Sequence, residues 1–169
     1  MAATVTIAVM LLASRSPRFG EGTGAKAPAF TLASTAGGSV SLADFRGKDV
    51  LLYFSEGVGC DTCFYQMQDL EQHAAKLSAN GLAVVPIVVN PANQVRSELD
   101  RFGLTTPFLI DADETVSDAY GVLGTGMHET LPGHSFILVD SSGQISWRGD
   151  YPSMFVTTDQ LLSDIGADR

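Results

Sequence analysis

Two cysteines, Cys60 and Cys63, are the only thiols of this chain, and they stand three residues apart. The apolar run 49–54 precedes them and a helical repeat follows, so the pair is predicted to lie at the start of a helix. Unpaired backbone N–H groups and the helix dipole favour the reactive thiolate at such a position. Residues three apart on a helix lie about 5–6 Å apart at Cβ, which a modest adjustment brings within disulfide reach. The spacing therefore predicts a redox-active pair.

Two other readings of the cysteines remain open from the residues alone. A free cysteine is often a small buried apolar residue without chemistry. A structural zinc site normally takes four ligands from two such pairs, whereas this chain has one pair and three scattered histidines, His73, His128 and His134. The position of the pair after a strand and before a helix favours redox chemistry over both, and no metal site is predicted.

The helical repeat assigns different roles to the two thiols. The residues from 61 to 78 show one apolar face, made of Cys63, Met67, Leu70, Ala74 and Leu77. Cys63 begins this buried face, and Cys60 precedes it at the helix tip. Cys60 is therefore predicted to be the accessible attacking thiol and Cys63 the shielded resolving thiol.

Three polar residues are candidate auxiliaries of the pair. Asp61 and Glu56 place negative charge near Cys60, which opposes the helix dipole and makes the dithiol a better reductant. Alternatively, Asp61 caps the helix or faces solvent. His134 lies in a loop expected over the cysteines, where it is a candidate proton shuttle, although a lone loop histidine is more often incidental.

The remaining pattern predicts an α/β domain with a mixed sheet flanked by helices. Residues 28–32 and 39–42 alternate around Gly37 and Gly38 as a β-hairpin does. Residues 82–89 read as a strand buried on both faces, with Pro86 predicting a bulge or an edge. Helices are predicted at 93–102, 114–120 and 157–165, strands at 107–111, 135–139 and 144–148, and a glycine-rich loop at 121–133.

The first part of the chain differs from the rest. Residues 2–13 are small and apolar but fall short of the ~20 residues that span a bilayer. We predict that residues 1–13 are a truncated membrane anchor or signal segment, residues 14–27 a linker, and residues 28–169 the folded domain. This favours a tether on the extracytoplasmic face of the bacterial cell envelope over a cytoplasmic location. The net charge of −9 argues against binding to nucleic acid.

Taken together, residues 27–165 resemble the redoxin, or alkyl hydroperoxide reductase/thiol-specific antioxidant (AhpC/TSA), family of the thioredoxin-like superfamily. The resemblance rests on the hairpin from Ala27, the segment 40–48, the strand followed by Cys-x-x-Cys and a helix, and the closing hairpin 136–145. It implies a thioredoxin-like fold with an N-terminal β-hairpin extension. It also implies an oxidoreductase that needs no cofactor beyond its cysteines.

The sequence departs from both chemistries that the family uses. Peroxiredoxins carry Pro-x-x-x-Thr-x-x-Cys, but counting back from Cys60 places Gly57 and Tyr53 in the Thr and Pro positions. Membrane-tethered thiol reductases of this superfamily carry a cis-proline just before the hairpin strand. Here Gly133 occupies that position, and Pro132 stands one residue earlier.

Three functions follow, in order of preference. The first is a thiol–disulfide oxidoreductase that cycles Cys60 and Cys63 on a disulfide-bearing protein and is restored by a thiol reductant, such as thioredoxin or a membrane thiol carrier. The second is a peroxiredoxin-like thiol peroxidase with Cys60 as the peroxidatic residue. The third is a Cu(I)-handling module that resembles the Sco type and uses Cys60, Cys63 and His134.

Overall fold

Residues 24–167 are described by the computed structural model, so the apolar segment predicted at 1–13 lies outside the described residues. Within them the strands are β1 (Thr31–Ser34), β2 (Ser39–Ser41), β3 (Asp49–Phe54), β4 (Leu82–Val88), β5 (Leu109–Ile110), β6 (Ser135–Val139) and β7 (Ile145–Asp150). The helices are α1 (Asp61–Gln72), α2 (Ala74–Ala79), α3 (Ala92–Phe102), α4 (Thr115–Ala119) and α5 (Thr158–Asp164), and Leu42–Phe45 form a 3-10 turn.

The strands form one mixed sheet in the order β2-β1-β5-β4-β3-β6-β7. β3, β4 and β5 run parallel, and the two hairpins add the antiparallel strands at either edge. Gly37 and Gly38 both have positive φ angles and form the β1–β2 turn, as the sequence predicted. The mixed α/β architecture with an N-terminal hairpin is thereby confirmed.

Alternation along β3 explains how the sheet is covered. Leu51 and Tyr53 face one apolar layer, which also contains Leu70 of α1 and Leu161 of α5. Val50, Leu52 and Phe54 face the opposite layer, which contains Val116 of α4. Every residue of β3 except Asp49 is buried, which makes this strand the rigid support from which the chain enters the cysteine segment.

The predicted helix over 61–78 is interrupted at His73. This residue leaves the helical region with φ −103° and ψ 16°, and its ring Nδ1 lies 2.8 Å from the carbonyl oxygen of Asp69. α1 therefore ends at Gln72, and α2 begins at Ala74. As a result Ala74, predicted on the buried face, is exposed, whereas Leu77 returns to the core.

Pro86 lies in a regular strand without a bulge on its paired side. It pairs with Tyr53 of β3, but β5 begins to pair with β4 only at Ile87. Pro86 thus stands where β4 has one neighbour, so its missing N–H does not interrupt a ladder. β4 is an interior strand of the sheet, so the predicted edge is present only locally, where β5 does not reach Pro86.

The end of the predicted linker is attached to the domain. The N–H of Gly24 donates to the carbonyl of Ile145 at 2.7 Å, and the N–H of Ala27 donates to that of Gly143 at 3.0 Å. Residues 24–27 therefore run along the turn between β6 and β7. Within the described range, every helix is too short or too polar to cross a membrane.

Candidate active site

The cysteine pair occupies the first turn of α1. Cys60 is the N-cap residue, and the N–H of Cys63 lies 3.0 Å from its carbonyl oxygen and 3.3 Å from its Sγ. The two residues form a disulfide with their Cα atoms 5.4 Å apart. The predicted pairing at a helix start is therefore present, and the sulfur of Cys60 receives a backbone N–H in the way that an N-cap side chain does.

The exposure of the two cysteines follows the predicted order, but both are buried. Cys60 is 8% exposed and Cys63 is 1% exposed. Cys60 is thus the more exposed of the two residues, but it too is buried in the disulfide. Met154 packs against the pair and forms a small apolar cluster with it, separate from the two main core layers.

The loop between β3 and α1 leaves no room for a side chain at residue 57. Gly57 has a φ of +72°, and a Cβ there would clash with Oδ1 of Asn90 and approach Cγ1 of Val88 to 3.1 Å. Asn90 holds its position because its Oδ1 accepts the N–H of Val58 at 2.9 Å. A threonine cannot replace Gly57 without displacing this bond.

Glu56 is buried and faces the loop predicted at 121–133. Its Oε1 accepts the N–H of Met127 at 2.9 Å and the N–H of His128 at 3.3 Å, and its Oε2 lies 3.0 Å from Nδ1 of His128. This carboxylate therefore fastens the loop to the segment that precedes the cysteines. All of these partners lie in the loop.

Asp61 is half exposed and pairs with Arg101 of α3. The hydrogen bond from this guanidinium lowers the pKa of the Asp61 carboxyl. Arg101 also pairs with Glu98 and stacks over the ring of Phe102, with 4.2 Å between its Cζ atom and the ring centroid. The negative charge next to Cys60 thus has a fixed positive partner, which the sequence analysis did not anticipate.

Pro132 and Gly133 lie directly before β6. All peptide bonds described between residues 24 and 167 are trans, so neither Pro132 nor Gly133 supplies the cis peptide that the related thiol reductases have before this strand. Pro132 instead forms a bridge with Leu123, and the N–H of Gly133 donates to the carbonyl of Val122 at 2.9 Å. These contacts use both residues to close the glycine-rich loop.

His134 is 2% exposed and has partners on both ring nitrogens. Nδ1 lies 3.1 Å from the hydroxyl of Tyr53, and Nε2 lies 3.2 Å from Oε1 of Gln66. Because that same oxygen accepts the N–H of Val156 at 2.8 Å, Nε2 must carry the hydrogen, which leaves Nδ1 to accept from Tyr53.

This buried network is electrically neutral. Burial lowers the pKa of His134 to about 3 and raises that of Tyr53 well above its usual range. The Tyr53 hydroxyl also lies 3.3 Å from the carbonyl oxygen of Cys63. His134 therefore has a structural role, because it connects Tyr53 of β3 to Gln66 of α1. Its geometry does not support the proton shuttle considered from the sequence.

The copper hypothesis lacks structural support as well. Both nitrogens of His134 are engaged by Tyr53 and Gln66. Among residues 24–167, no group of three or more histidine, cysteine, aspartate or glutamate side chains is arranged to hold a metal ion.

Sequence reasoning missed Tyr53, Gln66 and Met154 as neighbours of the site. Gln66 left a signal, because it lies three residues after Cys63 on the buried side of a helix, where a polar side chain needs a partner. Tyr53 carried the weaker signal of a hydroxyl in an otherwise apolar strand. Met154 left none, since its contact depends on the path of the loop after β7.

Comparisons with known proteins agree with this geometry. A model described as the AhpC/TSA family matches residues 23–148. A putative peroxiredoxin of Mycobacterium tuberculosis is 36% identical over 126 residues, covering 72% of this chain and 80% of that protein. The thiol-disulfide oxidoreductase ResA of Geobacillus thermodenitrificans is 32% identical over 123 residues, covering 72% and 66% respectively.

Solved structures show the same fold at lower identity. Peroxidoxin BcpB from Mycobacterium tuberculosis has a TM-score of 0.73 at 20% identity and covers 88% of this chain and 98% of its own. The reduced 2-Cys peroxiredoxin of Plasmodium vivax has a TM-score of 0.75 at 21% identity, with coverages of 86% and 94%. With a disulfide at the start of α1, a thioredoxin-like sheet beneath it and these similarities, the chain belongs to the AhpC/TSA family of oxidoreductase enzymes.

Proposed function

We propose that this enzyme is a thiol–disulfide oxidoreductase that reduces disulfides through the Cys60–Cys63 pair. The Cys60 thiolate attacks one sulfur of a substrate disulfide, and the other substrate sulfur leaves as a thiolate. Cys63 then gives up its proton and attacks Cys60, which releases the second substrate thiolate and forms the Cys60–Cys63 disulfide. The released thiolates take up protons, and two electrons pass from the dithiol to the substrate.

The observation that carries this proposal is the disulfide itself. Cys60 and Cys63 are bonded within one helical turn, so the resolving sulfur reaches the attacking sulfur without rearrangement of the helix. The backbone N–H of Cys63 lies 3.3 Å from Sγ of Cys60, where it stabilises negative charge on that sulfur. The same turn thus serves both the attack and the resolution.

The Gly57 segment favours disulfides over peroxides as substrates. Peroxiredoxins place a threonine hydroxyl three residues before the attacking cysteine, and Asn90 occupies the corresponding space in this protein. The proline of the same pattern is replaced by Tyr53, whose hydroxyl points to His134. The threonine that activates the peroxide in that pattern is therefore missing at residue 57, and the proline of the pattern is missing at residue 53.

Trapping experiments test this assignment. The Cys63→Ser variant lacks the resolving thiol and is expected to accumulate a mixed disulfide between Cys60 and an added substrate such as insulin, visible by non-reducing electrophoresis. Cys60→Ser, the matched control, is expected to trap nothing. Trapping by Cys60→Ser alone, or by neither variant, would contradict the proposed roles.

A thiol peroxidase is the second candidate, because the 36% identical relative is named a putative peroxiredoxin. In that reaction the Cys60 thiolate attacks a peroxide oxygen, the leaving oxygen departs as water or alcohol, and a sulfenic acid forms. Cys63 then displaces water from this sulfur to give the disulfide. Rapid consumption of hydrogen peroxide by the reduced enzyme, compared with its rate on insulin, would place this candidate first.

The proposed reaction also needs a reductant, and the sequence suggests where in the cell the enzyme would work. Each turnover leaves the pair oxidised, so a thiol reductant such as thioredoxin or a membrane thiol carrier must return two electrons. The apolar composition of residues 2–13 supports an envelope location. Membrane fractionation of the full chain and of a variant with charged residues in this segment tests that location.

A further inference from the structure

The disulfide lies under a methionine whose backbone is unusual. Met154 has a φ of +60°, and it is buried to all but 5% against the cysteine pair. The left-handed region is unfavourable for a residue that carries a Cβ. Glycine would avoid this cost, but it would also remove the side chain that packs on the sulfurs.

The turn that carries Met154 is fixed at both ends by the buried network. The N–H of Tyr151 donates to the carbonyl of His134 at 2.8 Å, and the N–H of Val156 donates to Oε1 of Gln66 at 2.8 Å. Inside the turn, the N–H of Met154 donates to the carbonyl of Tyr151 at 2.9 Å. Gln66 belongs to the helix that begins at the cysteines, so the turn is tied to the same element as the disulfide.

Burial of the Cys60–Cys63 disulfide limits the access of a thiol reductant to it. A thiol reductant must bring its sulfur into line with the Cys60–Cys63 bond, and even the more accessible of the two residues is only 8% exposed. The unbranched methionine side chain has three rotatable bonds beyond its backbone, so it can move aside while both ends of the turn stay bonded.

We propose that Met154 is a lid on the Cys60–Cys63 disulfide and controls the rate at which thiols reach it. This rests on the proposed function for its biological meaning. With Met154 displaced, a reductant thiolate attacks Cys60 and the thiolate of Cys63 leaves. The second thiol of the reductant then releases Cys60 as a thiol and completes the two-electron transfer. Met154 itself forms no bond to the reductant and acts by access.

The test measures how fast dithiothreitol reduces the oxidised full-length protein, with acid quenching and alkylation to count free thiols. Met154→Ala is expected to raise the second-order rate constant by about tenfold, and Met154→Leu, which preserves volume, to stay within roughly threefold of the wild type. Met127→Ala removes an exposed methionine side chain and is expected to change nothing. Glu114→Gly relieves the positive φ of another non-glycine residue in the described part of the chain and, as the backbone control, is expected to leave the rate unchanged.

Two further readouts separate a lid from general loosening. A lid accelerates reduction and reoxidation equally, so the equilibrium potential should shift by less than the roughly 30 mV that corresponds to a tenfold change in equilibrium constant. Rates that do not change in Met154→Ala, or a potential shift that accounts for the whole acceleration, would overturn the proposal. Dithiothreitol reduces the disulfide whether or not the enzyme acts on insulin, so failure of the proposed function and failure of the lid are distinguishable.

Discussion

The hydroxyl of Tyr53 lies 3.1 Å from Nδ1 of His134, and both side chains are almost completely buried. Tyr53 belongs to the central strand, and His134 directly precedes β6. Their rings also contact each other edge to face, with centroids 4.9 Å apart. Since the same hydroxyl approaches the carbonyl of Cys63, this pair joins the sheet to the turn that carries the disulfide.

Removing the hydroxyl tests that connection. Tyr53→Phe leaves Nδ1 of His134 buried without a donor, which costs about 1–3 kcal/mol of unfolding free energy. Urea denaturation of the oxidised protein measures this loss. Tyr65→Phe, which alters a half-exposed tyrosine on α1, should change stability by less than about 0.5 kcal/mol. Equal stability of Tyr53→Phe and the wild type would contradict a stabilising hydrogen bond between Tyr53 and His134.

The neutral state of His134 predicts a pH dependence of stability. Burial lowers its pKa from 6.5 to about 3, so between these values the unfolded chain binds one more proton than the folded protein. Stability from this group is complete above pH 6.5 and falls as the pH drops toward 3, by about 1.4 kcal/mol per pH unit.

A His134→Gln variant isolates this contribution from that of the carboxylates. Glutamine retains a donor toward Gln66 but does not titrate, so its unfolding free energy is expected to depend less steeply on pH over this range than that of the wild type. His73→Gln, on the partly exposed segment between α1 and α2, is the matched control. Identical slopes for His134→Gln and the wild type would show that His134 is not held neutral.

The close approach of Asn90 to Gly57 predicts a large effect of a single methyl group. Gly57→Ala combines a left-handed backbone with a Cβ that clashes with Oδ1 of Asn90. Gly143→Ala has the same backbone cost, roughly 1–2 kcal/mol, but its Cβ meets nothing within 4 Å. Thermal or urea denaturation should show Gly57→Ala to be less stable than Gly143→Ala by a further ~1–3 kcal/mol. Comparable losses would mean that the space beside Asn90 is open.

The ion pair of Asp61 predicts how charge affects the attacking thiol. In Arg101→Ala the Asp61 carboxylate loses its partner, so the midpoint of the pH profile of Cys60 alkylation by iodoacetamide should move to higher pH. Asp61→Asn leaves the Arg101 cation unpaired and should move it to lower pH, and the double variant, which lacks both charges, should lie between the two single variants. The shifts should shrink at high salt because both groups are half exposed. Profiles that coincide in all variants would make the pair a purely surface contact.

Local patterns were sufficient to predict most elements of the fold. The alternation around Gly37 and Gly38, the apolar run of β3 and the left-handed Gly103 that ends α3 all act through neighbours in sequence. The break at His73 was missed because it depends on one residue leaving the helical region. The two-residue β5 was predicted longer, since its flanks have strand composition without strand partners.

The site divides in the same way between local and distant contacts. The positions of Cys60 and Cys63 follow from one helical turn, so their pairing was predictable. The partners of Asp61, Glu56 and His134 come from residues between 40 and 81 positions away, and periodicity carries no information about such contacts. Met154 reaches the sulfurs from beyond β7, so only the path of the folded chain reveals it.

Residues 24–27 run beside the turn at Gly143, and β3 separates that turn from the loop that leads to Cys60. A strand of this length places the two ends of the sheet roughly 17 Å apart. The chain therefore enters the domain at Gly24, at the end of the sheet opposite the sulfurs. A purification tag, a chip surface or a lipid-bound tether joined ahead of Gly24 would be connected to the domain at that end. If the protein were immobilised through its N-terminal side, the Cys60–Cys63 disulfide would consequently face the solution, where substrates and reductants arrive.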